Sequence, residues 1–174
     1  GRNFFLIGYR IFVKYYTKEG KRLRGLYIIK SETNKCSMQF FGNLFTHYNY
    51  TTTDIQITND PSSKTIASQH SDFKLELALG EEEVELPKGS PFNDWKEARR
   101  YAGPLPFTFT WETEKKEMLI IQGLRSNWKP KPFRVIQFHS AFIDHFNFKE
   151  ARLANAFLVE QIPYTWKKAI REQW

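Results

Sequence analysis

A single cysteine, Cys36, occurs among 174 residues, so the chain by itself builds no internal disulfide framework and no multi-cysteine zinc or iron–sulfur centre. Such sparing use of cysteine fits a reducing compartment, and a cytoplasmic location is the expectation. Long apolar runs are missing as well. The opening Phe4-Phe5-Leu6-Ile7 is soon interrupted by Arg10 and Lys14, far short of the roughly 20 apolar residues of a membrane-spanning helix. No membrane partner is expected. The nine glycines form no phosphate-cradling loop, and neither a nucleophile elbow nor a serine-based triad motif is present. Internal repeats and Gly/Ser linkers are also lacking. Position 1 is Gly1 rather than methionine, so the chain reads as processed, tagged or part of a longer protein.

Aromatic residues, by contrast, are dense. Sixteen Phe, eight Tyr and five Trp make up 17% of the chain, enough for a large aromatic core or an aromatic-lined cavity. With 41% hydrophobic and 26% charged residues, the chain is a folded polypeptide of a size that suits one domain, taken here as residues 1–174. Residues 4–16 and 23–30 are rich in Phe, Ile, Tyr and Val on either side of Lys18-Glu19-Gly20-Lys21, the pattern of a β-hairpin. Met38, Phe41 and Phe45 then fall at helical spacing behind Thr33, which predicts a short amphipathic helix over about 33–46 with Thr33 as N-cap. Strands are predicted over 48–57, 66–70, 73–79, 107–111, 117–122, 133–142 and 153–162, with a second short helix capped by Asn93 or Asp94 and ended by Gly103-Pro104. So many short apolar strands need to bury their edges, and a mainly β (α+β) fold, an antiparallel sheet that curls or closes, is the expectation.

The net charge of +7 is unevenly spread. Residues 1–35 hold nine Lys/Arg against two Glu, whereas residues 72–97 carry a net −5. Arg10, Lys14, Tyr15, Tyr16, Lys18, Lys21, Arg22 and Arg24 interleave cations with rings, as a nucleic-acid surface does. None of the usual modules accompanies them, and cations on the solvated face of edge strands are the commoner reading. The weight is therefore against nucleic acid, and a basic module for an acidic partner is kept as an alternative.

Among the four histidines, a metal reading would pair His139 or His145 with Asp144, but no two histidines stand one helical turn apart, so no metal and no cofactor are expected. His47 lies in Thr46-His47-Tyr48-Asn49-Tyr50, where a predicted helix hands over to a strand, a place from which polar side chains reach pockets. The lysine pairs Lys115-Lys116 and Lys167-Lys168 could free an amine for Schiff-base chemistry. Each sits in a turn or near a chain end, among water and carboxylates, and reads as surface. Arg125, beside Trp128, and Arg24, beside Gly25, could each hold a carboxylate through two parallel hydrogen bonds.

Several strings, taken together, resemble one family. Asn3-Phe4-Phe5-Leu6-Ile7-Gly8-Tyr9-Arg10, Arg24-Gly25-Leu26-Tyr27, Gly42-Asn43-Leu44-Phe45-Thr46-His47-Tyr48-Asn49-Tyr50, Tyr101-Ala102-Gly103-Pro104-Leu105-Pro106-Phe107 and Arg125 with Trp128 are similar to the bacterial domain of unknown function 2071 family. The resemblance implies an acetoacetate decarboxylase-like fold, a curled antiparallel β-barrel around a cavity with a few peripheral helices, and implies further strands ahead of residue 1. Where acetoacetate decarboxylase places its Schiff-base lysine, this chain has His47-Tyr48-Asn49-Tyr50, so no catalytic residue is carried over. The expected function is binding of a small organic acid or carbonyl compound, with His47, Tyr48, Asn49, Arg125 and Arg24 as polar contacts. An enzyme acting on a carbonyl or enol substrate, with His47 as general acid or base, is the alternative. The oligomeric state is left open, a homo-oligomer included.

Overall fold

A computed structural model describes residues 4–80, 83–101, 105–160 and 163–174, apart from the side chain of Tyr164. In chain order its elements are β1 (Leu6–Tyr16), β2 (Arg22–Thr33), α1 (Cys36–Phe45), β3 (Tyr50–Thr52), β4 (Gln56–Asn59), β5 (Ser63–Ser68), β6 (Phe73–Ala78), α2 (Trp95–Ala98), β7 (Phe107–Glu112), β8 (Glu117–Arg125), β9 (Lys131–Pro132), β10 (Val135–Ser140), α3 (Ala141–Asp144), β11 (Phe157–Leu158), β12 (Tyr164–Trp166) and β13 (Ile170–Gln173). By contact they fall into two compact units. Gly1–Thr53, Pro104–Asn127 and Ile162–Trp174 make the first, and Asp54–Gly103 with Trp128–Gln161 the second.

The first unit is built on a seven-stranded sheet of order β1-β2-β7-β8-β12, with β13 also on β8 and β3 also on β2. The predicted hairpin is present. Gly20, at φ +76°, makes its turn, and the Gly20 and Thr17 amides donate to the Thr17 and Lys21 carbonyls at 2.8 and 3.0 Å. The sheet is mixed rather than antiparallel throughout, because β2 pairs in parallel with both β3 and β7. Parallel neighbours need a crossover connection, and α1 supplies it between β2 and β3.

Alternation gives this sheet two different faces. One carries Val13, Tyr15, Leu23, Tyr27, Phe107, Phe109, Met118 and Ile120 as a single apolar cluster, with Phe109 only 1% exposed. The other carries Ile28, Leu119 and Ile121 packed with Tyr48 and Tyr50. Laid flat, β1 and β13 would be four strand spacings, or about 19 Å, apart. Yet the Tyr15 hydroxyl in β1 donates to the Glu172 carboxylate in β13, Trp174 Nε1 donates to Tyr15 Oη at 2.9 Å, and the Lys18 amide donates to Glu172 Oε1 at 2.8 Å. The sheet therefore curls with Tyr15 on its concave side, its two edges joined there by side chains. Burial, reinforced by the bond to Glu172, pushes the Tyr15 phenol up to about 12. Among the described residues no backbone ladder joins β1 to β13.

The second unit holds an antiparallel four-stranded sheet, β10-β6-β5-β4, and the small pair β11-β9. Asp94 caps α2 by accepting the Glu97 amide at 2.7 Å, while the Glu97 carboxylate accepts the Asn93 amide at 2.9 Å, the reciprocal pattern of a capping box displaced by one residue. Three expectations are corrected. The first helix starts at Cys36 with Lys35 in the N-cap position, because Thr33 is a fully buried member of β2. The strand expected over 48–57 divides into β3 and β4. The one expected over 153–162 shrinks to β11, its end lying, like the Gly103-Pro104 break, outside the described residues.

Candidate functional site

The junction from α1 to β3 is held by an amide that imitates a strand neighbour. Asn43 accepts the Tyr50 amide on Oδ1 at 2.7 Å and donates from Nδ2 to the Tyr50 carbonyl at 2.9 Å. Gly42 is required beneath it, since a Cβ there would stand 2.4 Å from the Tyr50 ring. His47 and Asn49 both take left-handed backbone angles, φ +53° and +52°. Such angles cost a non-glycine residue roughly 1 kcal/mol or more each. The two kinks turn Tyr48 inward, where it is 2% exposed.

Tyr48, Asn49 and His47 each make a polar contact. Tyr48 Oη lies 2.6 Å from Thr108 Oγ1 in β7, and Thr108 Oγ1 is 3.3 Å from the Ile121 carbonyl, so the hydroxyls form a buried relay onto β8. Asn49 Nδ2 donates to the Ile29 carbonyl at 3.2 Å. Ile29 is the residue skipped where Tyr9 faces Lys30 and Arg10 faces Ile28, so Asn49 satisfies the carbonyl that this bulge frees. His47 Nδ1 contacts the Glu112 carboxylate at the end of β7, and Lys115 Nζ stands 3.7 Å from the other Glu112 oxygen. A carboxylate on Nδ1 orients an imidazole and leaves its Nε2 edge to act as acid or base.

Arg24 and Arg125 belong elsewhere. Glu112 pairs with Glu117, and Arg125 lies eight residues further along β8, a separation of about 27 Å. There its Nη1 donates to the Leu105 carbonyl at 3.3 Å. Arg24, exposed in β2, neighbours Gly25, which pairs with Phe107, so it sits toward the Arg125 end. His47 thus lies at the Glu112 end of the sheet and the two arginines toward the other, while the Tyr48 ring reaches toward the arginines' end, 5.8 Å from the ring of Trp166, which pairs with Gly123. Lys115 and Lys116 lie in the β7–β8 turn, as expected.

Other polar groups stand out only in three dimensions. Glu32, 1% exposed, takes Lys30 Nζ at 2.6 Å on one oxygen, while its second oxygen has no protein partner among the described residues. His139 points Nε2 at Asp72, 3.0 Å away, and Nδ1 toward Asp144 at 3.5 Å. The Asp72 hydrogen bond, more than any other influence, raises the imidazole above its ordinary value. A ring that faces a carboxylate from each nitrogen favours its protonated form. Among the described residues no group of three or more His, Cys, Asp or Glu side chains gathers to hold a metal, and no helix is long and apolar enough to cross a membrane.

The second unit contains a cleft of about 460 Å³, within the range of small-molecule sites. Trp95, Val84, Phe133 and Leu158 wall it, with Lys131 and Arg134 as cations and, among the described residues, Glu83 as a carboxylate. Trp95 is fixed from two sides. Its Nε1 donates to the Val84 carbonyl at 2.5 Å, and Phe157 meets its ring edge-on at 5.1 Å. The cations sit on anchored backbone, Lys131 paired with Leu158 and the Arg134 carbonyl accepting the Ala78 amide at 3.0 Å. Sequence reading missed this cleft because its walls come from four separate segments; the signal was Lys131-Pro132-Phe133-Arg134, two cations bracketing an apolar pair. Comparison of the chain with family models, with curated proteins and with solved structures finds no match.

Proposed function

We propose that the chain binds a small organic acid in the cleft of the second unit. The observation that carries this reading is an apolar hollow whose described walls supply two cations, Lys131 and Arg134, beside the carboxylate of Glu83. The ligand's carboxylate takes the cations through charge-assisted hydrogen bonds, and its hydrocarbon or aryl body lies on Trp95, Phe133 and Leu158. The first unit is read as a barrel of acetoacetate decarboxylase-like type whose edges approach without a closing ladder; the Tyr15–Glu172 contact supports it. Thermal unfolding with millimolar phenylpyruvate or hexanoate, against the corresponding alcohols, tests the binding. The acids raise Tm, and Lys131→Ala with Arg134→Ala removes their advantage over the alcohols. No acid-dependent rise, or one indifferent to both substitutions, refutes the reading.

A second reading is favoured by the His47–Glu112 contact: an enzyme in which Glu112 orients His47 for proton transfer on a carbonyl or enol substrate. Following the same keto acids by NMR for product tests it. Turnover that His47→Gln leaves unchanged ends it.

A further inference from the structure

The register of the first hairpin sorts its cations and rings onto one face. Arg10, Phe12, Lys14 and Tyr16 alternate with the inward Val13 and Tyr15 along β1, so these four share the face away from the concave cluster. Their partners across the ladder are Ile28, Leu26, Arg24 and Arg22. Successive members on β1 are about 6.8 Å apart and run cation, ring, cation, ring.

Two features resist the reading of a merely solvated edge. Phe12 and Tyr16 are 55% and 57% exposed, whereas protection of an edge calls for charges and not for rings. Lys14 and Arg24 stand directly opposite each other, and like charges so placed destabilise a ladder. No Asp or Glu occurs on this face of the hairpin; Glu19 is in its turn, and Glu32 lies beyond the bulge on the face of Tyr9. The surface therefore combines four cations, on a hairpin face that carries no Asp or Glu of its own, with two exposed rings in alternation. A chain that repeats an anionic group and a flat base at each unit meets both requirements: its phosphates neutralise the cations, including the repelling pair, and its bases stack on the rings.

We infer that the open part of this face of β1 and β2, which ends where Ile28 is buried with Tyr48 and Tyr50, binds single-stranded nucleic acid, with Arg10, Lys14, Arg22 and Arg24 on phosphates and Phe12 and Tyr16 under bases. This site is separate from the organic-acid cleft and does not depend on it. The test is fluorescence anisotropy of the whole chain with labelled oligo(U) and oligo(dT) of about 15 nucleotides across about 50 to 200 mM salt. Four phosphate contacts give a log–log salt slope near −2.8, or about a 50-fold loss of affinity over that range. Lys14→Ala with Arg24→Ala flattens the slope to about −1.4. Phe12→Ala and Tyr16→Ala each weaken binding about tenfold and leave the slope alone; both side chains are exposed, and circular dichroism verifies that the variants fold. Absence of binding at the low-salt end, affinity untouched by the ring substitutions, or stronger binding to phosphatidylserine vesicles through the same cations would each overturn the assignment.

Discussion

Gly25 gives the sharpest test of how the first unit is assembled. It sits in β2 where that strand meets β7 in parallel, paired with Phe107. A Cβ at this position would stand 2.3 Å from the Phe107 carbonyl oxygen and 2.4 Å from the Phe109 ring, against 3.4 Å for ordinary contact. In Gly25→Ala the two strands must therefore part by about 1 Å, and Phe109 must leave its place over the ladder. Overpacking of a core costs about 1–3 kcal/mol, and the backbone gain from replacing glycine returns about 0.4–1 kcal/mol. The net loss is about 1.3 kcal/mol, or about 0.6 M in the urea midpoint for a chain of this size. Gly8→Ala is the matched control. It lies in the neighbouring strand, where the nearest atoms belong to the flexible Arg10 side chain at 3.0 Å, and a change within about 0.5 kcal/mol is expected. Unfolding followed by far-ultraviolet circular dichroism and tryptophan fluorescence reads both. Equal midpoints for Gly25→Ala and the parent chain would mean that β2 and β7 do not approach as described.

Tyr48→Phe removes one end of the hydroxyl relay to Thr108 and costs about 1 kcal/mol of stability, with organic-acid binding unchanged; denaturant titration and the thermal-shift panel separate the two outcomes. The His139 imidazole is raised by Asp72, so its folded value lies above the unfolded one of about 6.5. Its stabilising contribution is complete below about pH 6.5 and fades as pH rises through the folded value. His139→Gln should flatten that segment of the stability profile, and a histidine NMR titration placing His139 at or below about 6.5 would contradict the ion pairs.

The hairpin, the second helix and most strand positions were legible in the sequence because local chemistry fixes them. Gly20 turns the chain, Asp94 caps α2, and Phe73, Leu75 and Leu77 alternate with charged neighbours. What escaped was set by distant pairing. Thr33 has the chemistry of an N-cap, yet β2 runs on through it because Leu6 and Thr52 lie against it on either side. The helix that follows has its apolar spacing, but Phe40, Phe41, Leu44 and Phe45 are more than half exposed. Periodicity announces a face and is silent about whether anything covers it.

The candidate residues divide along the same line. His47, Tyr48 and Asn49 were found through one contiguous string, and the structure gives the last two structural tasks that contiguity alone would not reveal: a buried hydroxyl relay and the repair of a bulge. Arg24 and Arg125 were chosen as isolated carboxylate holders, and their register places them about 20 and 27 Å along the sheet from Glu112, His47's partner. The cleft of the second unit depends on strands β9 and β11, two residues each, too short for any alternation to be seen. The cations and rings of β1 and β2 were visible as a composition from the start. Only the pairing of Lys14 with Arg24 and of Tyr16 with Arg22 turns that composition into a surface with a charge deficit and a spacing, and those are the properties by which a partner can recognise it.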